Sequence, residues 1–277
     1  GIFEKIFPDF TSLTGSQELD AVCYVLVVSI GLAMLFNMNA SSGGLDIVAK
    51  IMNKYLQMDL GKAMSLSGMC VALSSAFVYD KNKLQNPPKS LKELVESSQK
   101  WRVIYEDPRT STPGLGLLLW MQKVYGDKAP EAWQKLAAKT VTVTKGWSEA
   151  YGLFLKGESD LVLSYTTSPA YHIIAEKKDN YAAADFAEGH YLQVEVAART
   201  AASKQPELAE KFLKFMVSPA FQNAIPAGNW MYPVTNVALP AGFEQLTKPK
   251  TSLEFTPQQV AAQRAAWVSE WQRAVSR

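Results

Sequence analysis

Apolar and polar positions follow two different periods from about residue 77 to the C-terminus. Short apolar stretches such as VIY at 103–105 and LVLSY at 161–165 are typical of buried strands. Between them lie longer segments whose apolar residues are three and four positions apart, which is the spacing of an amphipathic helix. Strands that alternate with helices predict an α/β fold.

Capping residues mark where most of these helices begin. Ser90 with Glu93 has the pattern of a capping box, and Pro113 suits the first turn of a helix. Further helix starts are expected at Pro130, Pro169, Pro206, Pro219 and Pro257. Four apolar residues of the last helix fall on one face: Val260, Trp267, Trp271 and Val275. We expect that face to pack on the domain.

Two uncharged apolar runs precede this region, at 21–38 and 63–79. The first is slightly shorter than the roughly 20 residues that span a bilayer, and the second is rich in small residues that let membrane helices approach closely. Either run could instead be a buried helix of a soluble core. Together they favour a two-helix membrane hairpin.

Composition changes at the same place. Residues 1–76 contain both cysteines, Cys23 and Cys70, and no tryptophan, whereas all seven tryptophans come later. The formal net charge is only +2 and the basic residues are spread singly, which argues against a nucleic-acid-binding surface. We therefore interpret the chain as two unlike parts, 1–76 and 77–277.

Candidate binding residues lie where strands end, because open α/β sheets bind ligands at the carboxyl ends of their strands. The turn YEDPRTSTPG places Ser111 at a helix start, where free amides and the helix dipole favour an anion. Trp147 opens the helix after VTVT, Tyr165 and Tyr171 flank the turn after LVLS, and Trp230 lies in the loop AGNWMYPVT. Core packing is the alternative for each aromatic residue, and simple capping for Ser111. As a set, they predict a ligand with flat rings and a polar or phosphorylated end.

Long phrases of this region resemble the periplasmic thiamine-binding proteins of bacterial ABC importers. They are FVYDKNKLQNPPKSLKELVES, VIYEDPRTSTPGLGLLLWMQKVYGD, TVTVTKGWSEAYGLFLKGESDLVLSYTTSPAYH and AIPAGNWMYPVTNVALPAGF. The resemblance implies a type II solute-binding protein fold with two lobes, no cofactor, and thiamine, thiamine monophosphate or thiamine diphosphate as the transported ligand. It also implies that Ser111 meets the phosphate or hydroxyethyl end, while Trp147, Tyr165, Tyr171 and Trp230 line the pocket for the two rings.

The resemblance does not extend to the first part of such proteins, so the first lobe is expected to be incomplete. We predict the second lobe at 82–190, and the remainder of the first lobe with the C-terminal helix at 191–277. The segment SSGGLDIVAKIMNKYLQMDLGKAMSLSG resembles part of the YitT-type family of bacterial multi-spanning membrane proteins. Residues 1–76 would then be an α-helical membrane segment unrelated to the rest and joined to it by fusion.

These observations predict the solute-binding component of a thiamine import system, impaired by the incomplete first lobe. Its partners would be the ABC permease and ATPase subunits, and its location the periplasm, with membrane association through 21–38 and 63–79. The alternative is a fragment of a membrane protein that carries the α/β region as a passenger. An enzyme is not expected, because His172 and His190 have neither a nearby cysteine nor metal-ligand spacing.

Overall fold

The structure is a computed structural model that describes residues 67–276. In chain order, its strands are β1 Ser67–Asp80, β2 Val103–Glu106, β3 Thr140–Thr144, β4 Leu161–Tyr165, β5 Tyr181–Ala183, β6 His190–Ala198, β7 Tyr232–Pro233 and β8 Ser252–Leu253. One compact unit comprises Leu66–Ala198 and Glu210–Arg277. Every side chain discussed below lies in that unit.

The helices begin close to the predicted capping residues. They are α1 Leu91–Glu96, α2 Thr112–Tyr125, α3 Ala129–Ala137, α4 Trp147–Leu155, α5 Pro169–Ile174, α6 Pro206–Met216, α7 Pro219–Gln222, α8 Ile225–Gly228 and α9 Pro257–Val275. The Ser90 hydroxyl accepts a hydrogen bond from the backbone N–H of Glu93 and so caps α1. At the start of α9, Thr256 and Gln259 form a reciprocal capping box. The predicted cap by Ser90 is confirmed, but the Glu93 carboxylate accepts from the backbone N–H of Lys89 instead of Ser90, so the predicted capping box is not complete.

The strands form one sheet in the order β3-β2-β4-β1-β6-β8, and β5 and β7 also pair with β1. β2 is parallel to β3 and β4, whereas β1 is antiparallel to β4, β5, β6 and β7. The amino-terminal half of β1 pairs with β6, and its carboxyl-terminal half pairs with β4 and β5. This long strand therefore links the two sides of the sheet.

The apolar run at 63–79 is not a membrane helix, contrary to the prediction, because its residues from Ser67 onward form β1. Ala76, Phe77 and Val78 have no exposed surface. Phe77 packs in the cluster on one face of the sheet, while Ala76 and Val78 pack on the other face. A strand buried on both faces is apolar at consecutive positions, so its sequence resembles that of an apolar helix.

The predicted boundary between residues 76 and 77 lies inside β1, whose pairing with β4 runs from Ser75 to Tyr79 without a break. Residues 67–76 are therefore part of the same sheet as the residues that follow. The lobe division predicted at 190/191 falls at the start of β6 and stays a prediction. The first apolar run, at 21–38, lies outside the described residues.

Helices cover both faces of the sheet. The larger cluster, which includes Trp120 and Trp133, is formed with residues of α1, α2, α3 and α9, and a smaller one with Tyr151 and Phe154 lies under α4. The predicted apolar face of α9 is confirmed, because its four residues pack in or against the larger cluster: Val260, Trp267, Trp271 and Val275. The sheet is thus covered by helices on both faces.

Candidate functional site

One edge of the sheet gathers the carboxyl ends of β2, β3 and β4, because these three neighbouring strands are parallel. β2 is followed by α2, β3 by α4 and β4 by α5, so three helix starts meet at this edge. Ser111, Trp147, Tyr165 and Tyr171 all lie on these connections or helix starts. We call this region the carboxyl edge; it is the position at which open α/β sheets bind ligands.

The three hydroxyl-bearing residues of the turn before α2 make different contacts. The Thr110 Oγ1 donates to the carbonyl oxygen of Lys145 at 2.7 Å and so ties this turn to the one before α4. The carbonyl of Thr112 accepts from Gln193 Nε2 at 2.9 Å. Ser111 is the N-cap residue, as predicted, but its side chain makes no capping hydrogen bond. Its hydroxyl is therefore not used to cap the helix.

Gly114 allows α2 to begin directly against the end of β2. A Cβ at this position would lie 2.3 Å from the carbonyl oxygen of Glu106 and 2.8 Å from the carbonyl carbon and oxygen of Asp107. Real Cβ atoms do not approach backbone so closely, so only glycine fits here. The amides of the first turn of α2 are thereby held at the carboxyl edge, where they can face an anion.

An ion pair fixes the turn between β2 and α2. Asp107 accepts hydrogen bonds from the backbone N–H and the Nε of Arg109, at 2.8 and 2.9 Å. The hydrogen bond from Arg109 lowers the pKa of Asp107 below its usual value. Because Asp107 already balances the charge of Arg109, any anion here would rely on the amides of α2 and on Ser111.

Trp147 is the first residue of α4, and 39% of its surface is exposed. Its Nε1 donates to the hydroxyl of Ser164 at 2.7 Å, and its ring stacks on Tyr151 with centroids 5.0 Å apart. One face of the indole is therefore held by its contact with Tyr151. A ring held in this way is suited to stacking against a flat ligand.

His172 connects that pair of rings to the next part of the site. Its Nε2 lies 3.0 Å from the hydroxyl of Tyr151, and its Nδ1 lies 2.9 Å from the carboxylate of Glu176. The hydrogen bond from His172 is the main reason that the pKa of Glu176 is lowered. His172 is 1% exposed and stacks on Tyr151. Its role in the described structure is to support other rings.

Tyr171 and Trp230 meet edge to face, with ring centroids 5.4 Å apart. Tyr171 is 41% exposed, and its ring also contacts the edge of His172 at 5.3 Å. The backbone φ of Trp230 is 54°, a left-handed conformation that a bulky residue rarely adopts. Such strain persists where the surroundings impose it, and it is common at binding sites.

The ring contacts form one continuous row from α4 to the loop before β7. Its members, in order, are Trp147, Tyr151, His172, Tyr171 and Trp230. The structure thus brings together three of the predicted site residues, Trp147, Tyr171 and Trp230, through Tyr151 and His172, neither of which was predicted as a site residue. We call this set the aromatic row.

Tyr165 is connected to Trp147 at the carboxyl edge through the side chains of two serines. The hydroxyls of Ser164 and Ser168 are 2.6 Å apart, and the backbone N–H of Tyr165 donates to Ser168 Oγ at 3.2 Å. Because Ser164 also accepts from Trp147, these two predicted residues are joined through serines. Burial is the main cause of the raised pKa of Tyr165, followed by the charge of Glu106.

Ser111 lies at the carboxyl edge but has no hydrogen bond or ring contact with the other four predicted residues among the described residues. Residues 67–276 also contain no group of three or more His, Cys, Asp and Glu side chains that could hold a metal ion. The carboxyl edge offers aromatic rings, hydroxyl groups and the free amides of a helix start.

The family described as bacterial extracellular solute-binding protein matches residues 26–250. The thiamine-binding periplasmic protein of Salmonella typhimurium is 90% identical over 202 residues, which are 73% of this chain and 62% of the relative. The protein of the same name from Escherichia coli is 88% identical over the same shares. The chain thus spans about 62% of the length of these relatives.

A solved structure named periplasmic thiamin binding protein superposes with a TM-score of 0.75 and 81% sequence identity, covering 79% of this chain and 69% of that one. The predicted fold class, a mixed α/β solute-binding protein fold, is confirmed by this likeness together with the family match. The family match begins at residue 26, well before the boundary predicted at 76/77.

A membrane protein also matches, over a short stretch. The UPF0750 membrane protein YpjC of Bacillus subtilis is 33% identical over 52 residues, which are 19% of this chain and 18% of that protein. Across the described part of the chain, no helix is both long and apolar enough to cross a bilayer. The YitT-type resemblance thus rests on a short partial match, and a membrane helix at 21–38 stays a prediction.

Proposed function

Because the chain belongs to the bacterial extracellular solute-binding protein family, we propose that it binds thiamine and thiamine phosphates for an ABC import system. The names of the relatives that are 90% and 88% identical support thiamine as the solute. Both the family and these relatives are binding proteins rather than enzymes, which agrees with the expectation from the sequence.

The aromatic row is the observation that carries this proposal. Thiamine has two flat rings, and its thiazolium ring has a permanent positive charge. An aromatic face attracts such a cation by about 0.5–2 kcal/mol when the contact is desolvated. Trp147 and Tyr171 expose their rings at the carboxyl edge while Tyr151 and His172 support them from behind. Trp230 and Tyr165 complete the proposed surroundings of the two rings.

Ser111 and the first turn of α2 are proposed to hold the hydroxyethyl or phosphate end of the ligand. The 14-residue helix α2 directs its unpaired amides and the positive end of its dipole toward this point. The Ser111 hydroxyl, which makes no capping bond, adds a donor. A phosphorylated ligand should benefit more from this arrangement than thiamine itself.

The family also suggests where the protein works and with which partners. We propose the periplasm as its location and the permease and ATPase subunits of an ABC importer as its partners, since the relatives are named periplasmic binding proteins. A membrane tether would depend on residues 21–38 alone, because 67–79 form a strand. The tether is tested by forming spheroplasts: a tethered protein should be released only after detergent is added, and an untethered one without it.

Isothermal titration calorimetry with thiamine, thiamine monophosphate and thiamine diphosphate tests the proposed ligand. Trp147→Ala should weaken binding of all three by roughly threefold to thirtyfold, which corresponds to the loss of one cation–π contact. Val141→Ala is a matched control, because Val141 is 49% exposed at the opposite end of β3. Its binding should equal that of the unmodified protein.

Two results would contradict the proposal. No heat of binding with any of the three ligands would exclude thiamine as the solute, and equal losses in both variants would exclude the aromatic row as the site.

A further inference from the structure

Glu106, the last residue of β2, is a buried carboxyl group without a partner. It has no exposed surface, and neither Oε1 nor Oε2 forms a hydrogen bond with any described residue. Buried polar groups are almost always hydrogen-bonded, and an unpaired buried carboxylate costs several kcal/mol or more. A group of this kind in a stable sheet therefore needs an explanation, and the described packing around it offers none.

The register of the sheet puts Glu106 in the middle of the carboxyl edge. On one side it pairs with Thr144, the last residue of β3. On the other side Ile104 pairs with Val162, which places Ser164 of β4 beside Glu106. Ser164 is the hydroxyl that holds the Trp147 ring. Glu106 is thus central among the strand ends that carry the candidate site.

The alternation of side chains along β2 indicates which face the carboxyl group occupies. Val103 and Tyr105 belong to the larger cluster, whereas Ile104 belongs to the cluster under α4. Since side chains two residues apart share a face, Glu106 lies on the α4 side of the sheet. α4 begins with Trp147, so the carboxyl group lies beneath the start of the aromatic row.

Among residues 67–276, no positively charged side chain forms an ion pair with Glu106. Burial raises its pKa to about 8. The groups that can carry charge on the elements packed against it, or on the turns beside it, are Asp107, Arg109, Lys123, Tyr125, Lys145, Glu149, Tyr151 and Tyr165. None of them is hydrogen-bonded or ion-paired to Glu106, and Arg109 is held by Asp107. After burial, the charges of Glu106 and Glu195 also raise the pKa of Tyr165, a predicted site residue.

We propose that Glu106 supplies the negative charge for a cationic heteroaromatic ligand at the carboxyl edge and makes this site prefer the cation to a neutral ring of the same shape. The inference rests on the proposed function and names a residue of that same site. Glu106 acts through its electric field and not by direct contact, because its side chain has no exposed surface. It is therefore a positioning and charge-selecting residue.

The charge balance of the binding step follows directly. In the free protein the buried carboxyl group retains its proton at neutral pH. When the ligand brings a permanent positive charge, the carboxylate form becomes favourable and the proton leaves to solvent. One cation enters and up to one proton departs, so binding and ionisation are linked. We expect this linkage to favour the cation by about tenfold to a hundredfold, the usual range of coupling between two binding events.

Thiamine and a deazathiamine, in which a neutral thiophene replaces the thiazolium, are the probes that test this inference. Their affinities are measured by calorimetry from about pH 6 to pH 9, in buffers with low and high ionisation enthalpy so that proton release is seen. Glu106→Gln keeps the shape and removes the charge, and Glu106→Asp keeps the charge. Glu149→Gln is the matched control, because it removes the same charge from an exposed position of α4.

In the unmodified protein, thiamine affinity should rise with pH up to about 8 and then level off, with proton release near neutral pH, while the neutral analogue shows neither effect. In Glu106→Gln, the preference for thiamine should fall by tenfold or more and the pH dependence should disappear. Glu149→Gln should behave like the unmodified protein, and Glu106→Asp should retain a pH-dependent preference. Circular dichroism spectra establish that each variant is folded.

Two failures are distinguishable. If the unmodified protein binds thiamine but Glu106→Gln keeps the same preference and pH profile, the role of Glu106 is refuted and the proposed function stands. If the unmodified protein binds neither probe, the proposed function fails, and this inference fails with it. Loss of binding of both probes to the same extent in Glu106→Gln would assign Glu106 to structure alone and would also overturn the inference.

Discussion

Replacing Glu106 by glutamine should change how the free energy of unfolding depends on pH, even without a ligand. Burial raises the pKa of Glu106 from its usual 4.5 to about 8 in the folded protein. A tenfold change in proton affinity is worth about 1.4 kcal/mol, so a fully buried carboxyl group with this pKa costs on the order of 5 kcal/mol once it must ionise. That is a large part of the roughly 5–15 kcal/mol by which domains are stable.

The direction of the effect follows from proton binding. Below about pH 4.5 the carboxyl group is protonated in both the folded and the unfolded chain, and it costs nothing. As the pH rises, the unfolded chain loses the proton first while the folded protein keeps it, so the free energy of unfolding falls. The loss is complete once the pH passes the folded-state pKa, near 8. Glu106→Gln cannot ionise and should lack this decline.

Urea unfolding followed by circular dichroism at steps from about pH 4 to pH 9 measures the difference. The two proteins should be within about 1 kcal/mol of each other at the acid end, and the variant should be more stable by several kcal/mol at the alkaline end. Glu149→Gln, which alters an exposed carboxylate, should follow the unmodified protein. Parallel curves for the unmodified protein and Glu106→Gln would refute the assigned burial and its cost.

Three further predictions concern the site and its frame. Trp230→Ala and Tyr171→Ala should each weaken thiamine binding by roughly threefold to thirtyfold and lower stability much less, as calorimetry and thermal melting would show; a large fall in Tm with unchanged affinity would make them core residues. Ser111→Ala should weaken thiamine phosphates more than thiamine and cost little stability, since its side chain makes no capping bond; equal losses for all ligands would contradict the anion role. Gly114→Ala should lower the free energy of unfolding by several kcal/mol, because its Cβ would clash with the backbone at the end of β2. Gly152→Ala should raise that free energy by about 0.5–1 kcal/mol, because a Cβ there has no other atom within 4 Å. Similar unfolding midpoints for the two variants would refute the packing argument.

Local signals predicted the helices well, because each start depends on residues close together in sequence. Ser90 and Thr256 cap α1 and α9 through side-chain bonds that span three residues. The position of the candidate site also followed from local order, since a residue that ends a parallel strand must lie at the carboxyl edge. For Ser111 and Trp147 the sequence was sufficient to give that placement, while their part in binding stays a prediction.

Tertiary surroundings decided what the sequence could not show. A membrane helix and a strand covered on both faces are both expected to lack charged residues. The composition of the run at 63–79 could therefore not distinguish between them. Glu106 was visible as an acid at a strand end, but its lack of a partner depends on neighbours from β3, β4 and α4. His172 was considered only as a catalytic or metal-binding residue, and both roles were rejected; its contacts with Tyr151 and Tyr171 could be found only from the fold.

The position of β1 has a consequence for how the protein is made. It comes first among the described strands yet lies inside the sheet, and both of its main partners, β4 and β6, are synthesised much later. An apolar strand with unpaired edges must therefore wait until most of the chain has left the ribosome, and contacts between such distant segments form slowly. During that interval β1 is a target for aggregation or for a holding chaperone. A chain that stops before β4 should therefore be insoluble, however well its early helices are capped.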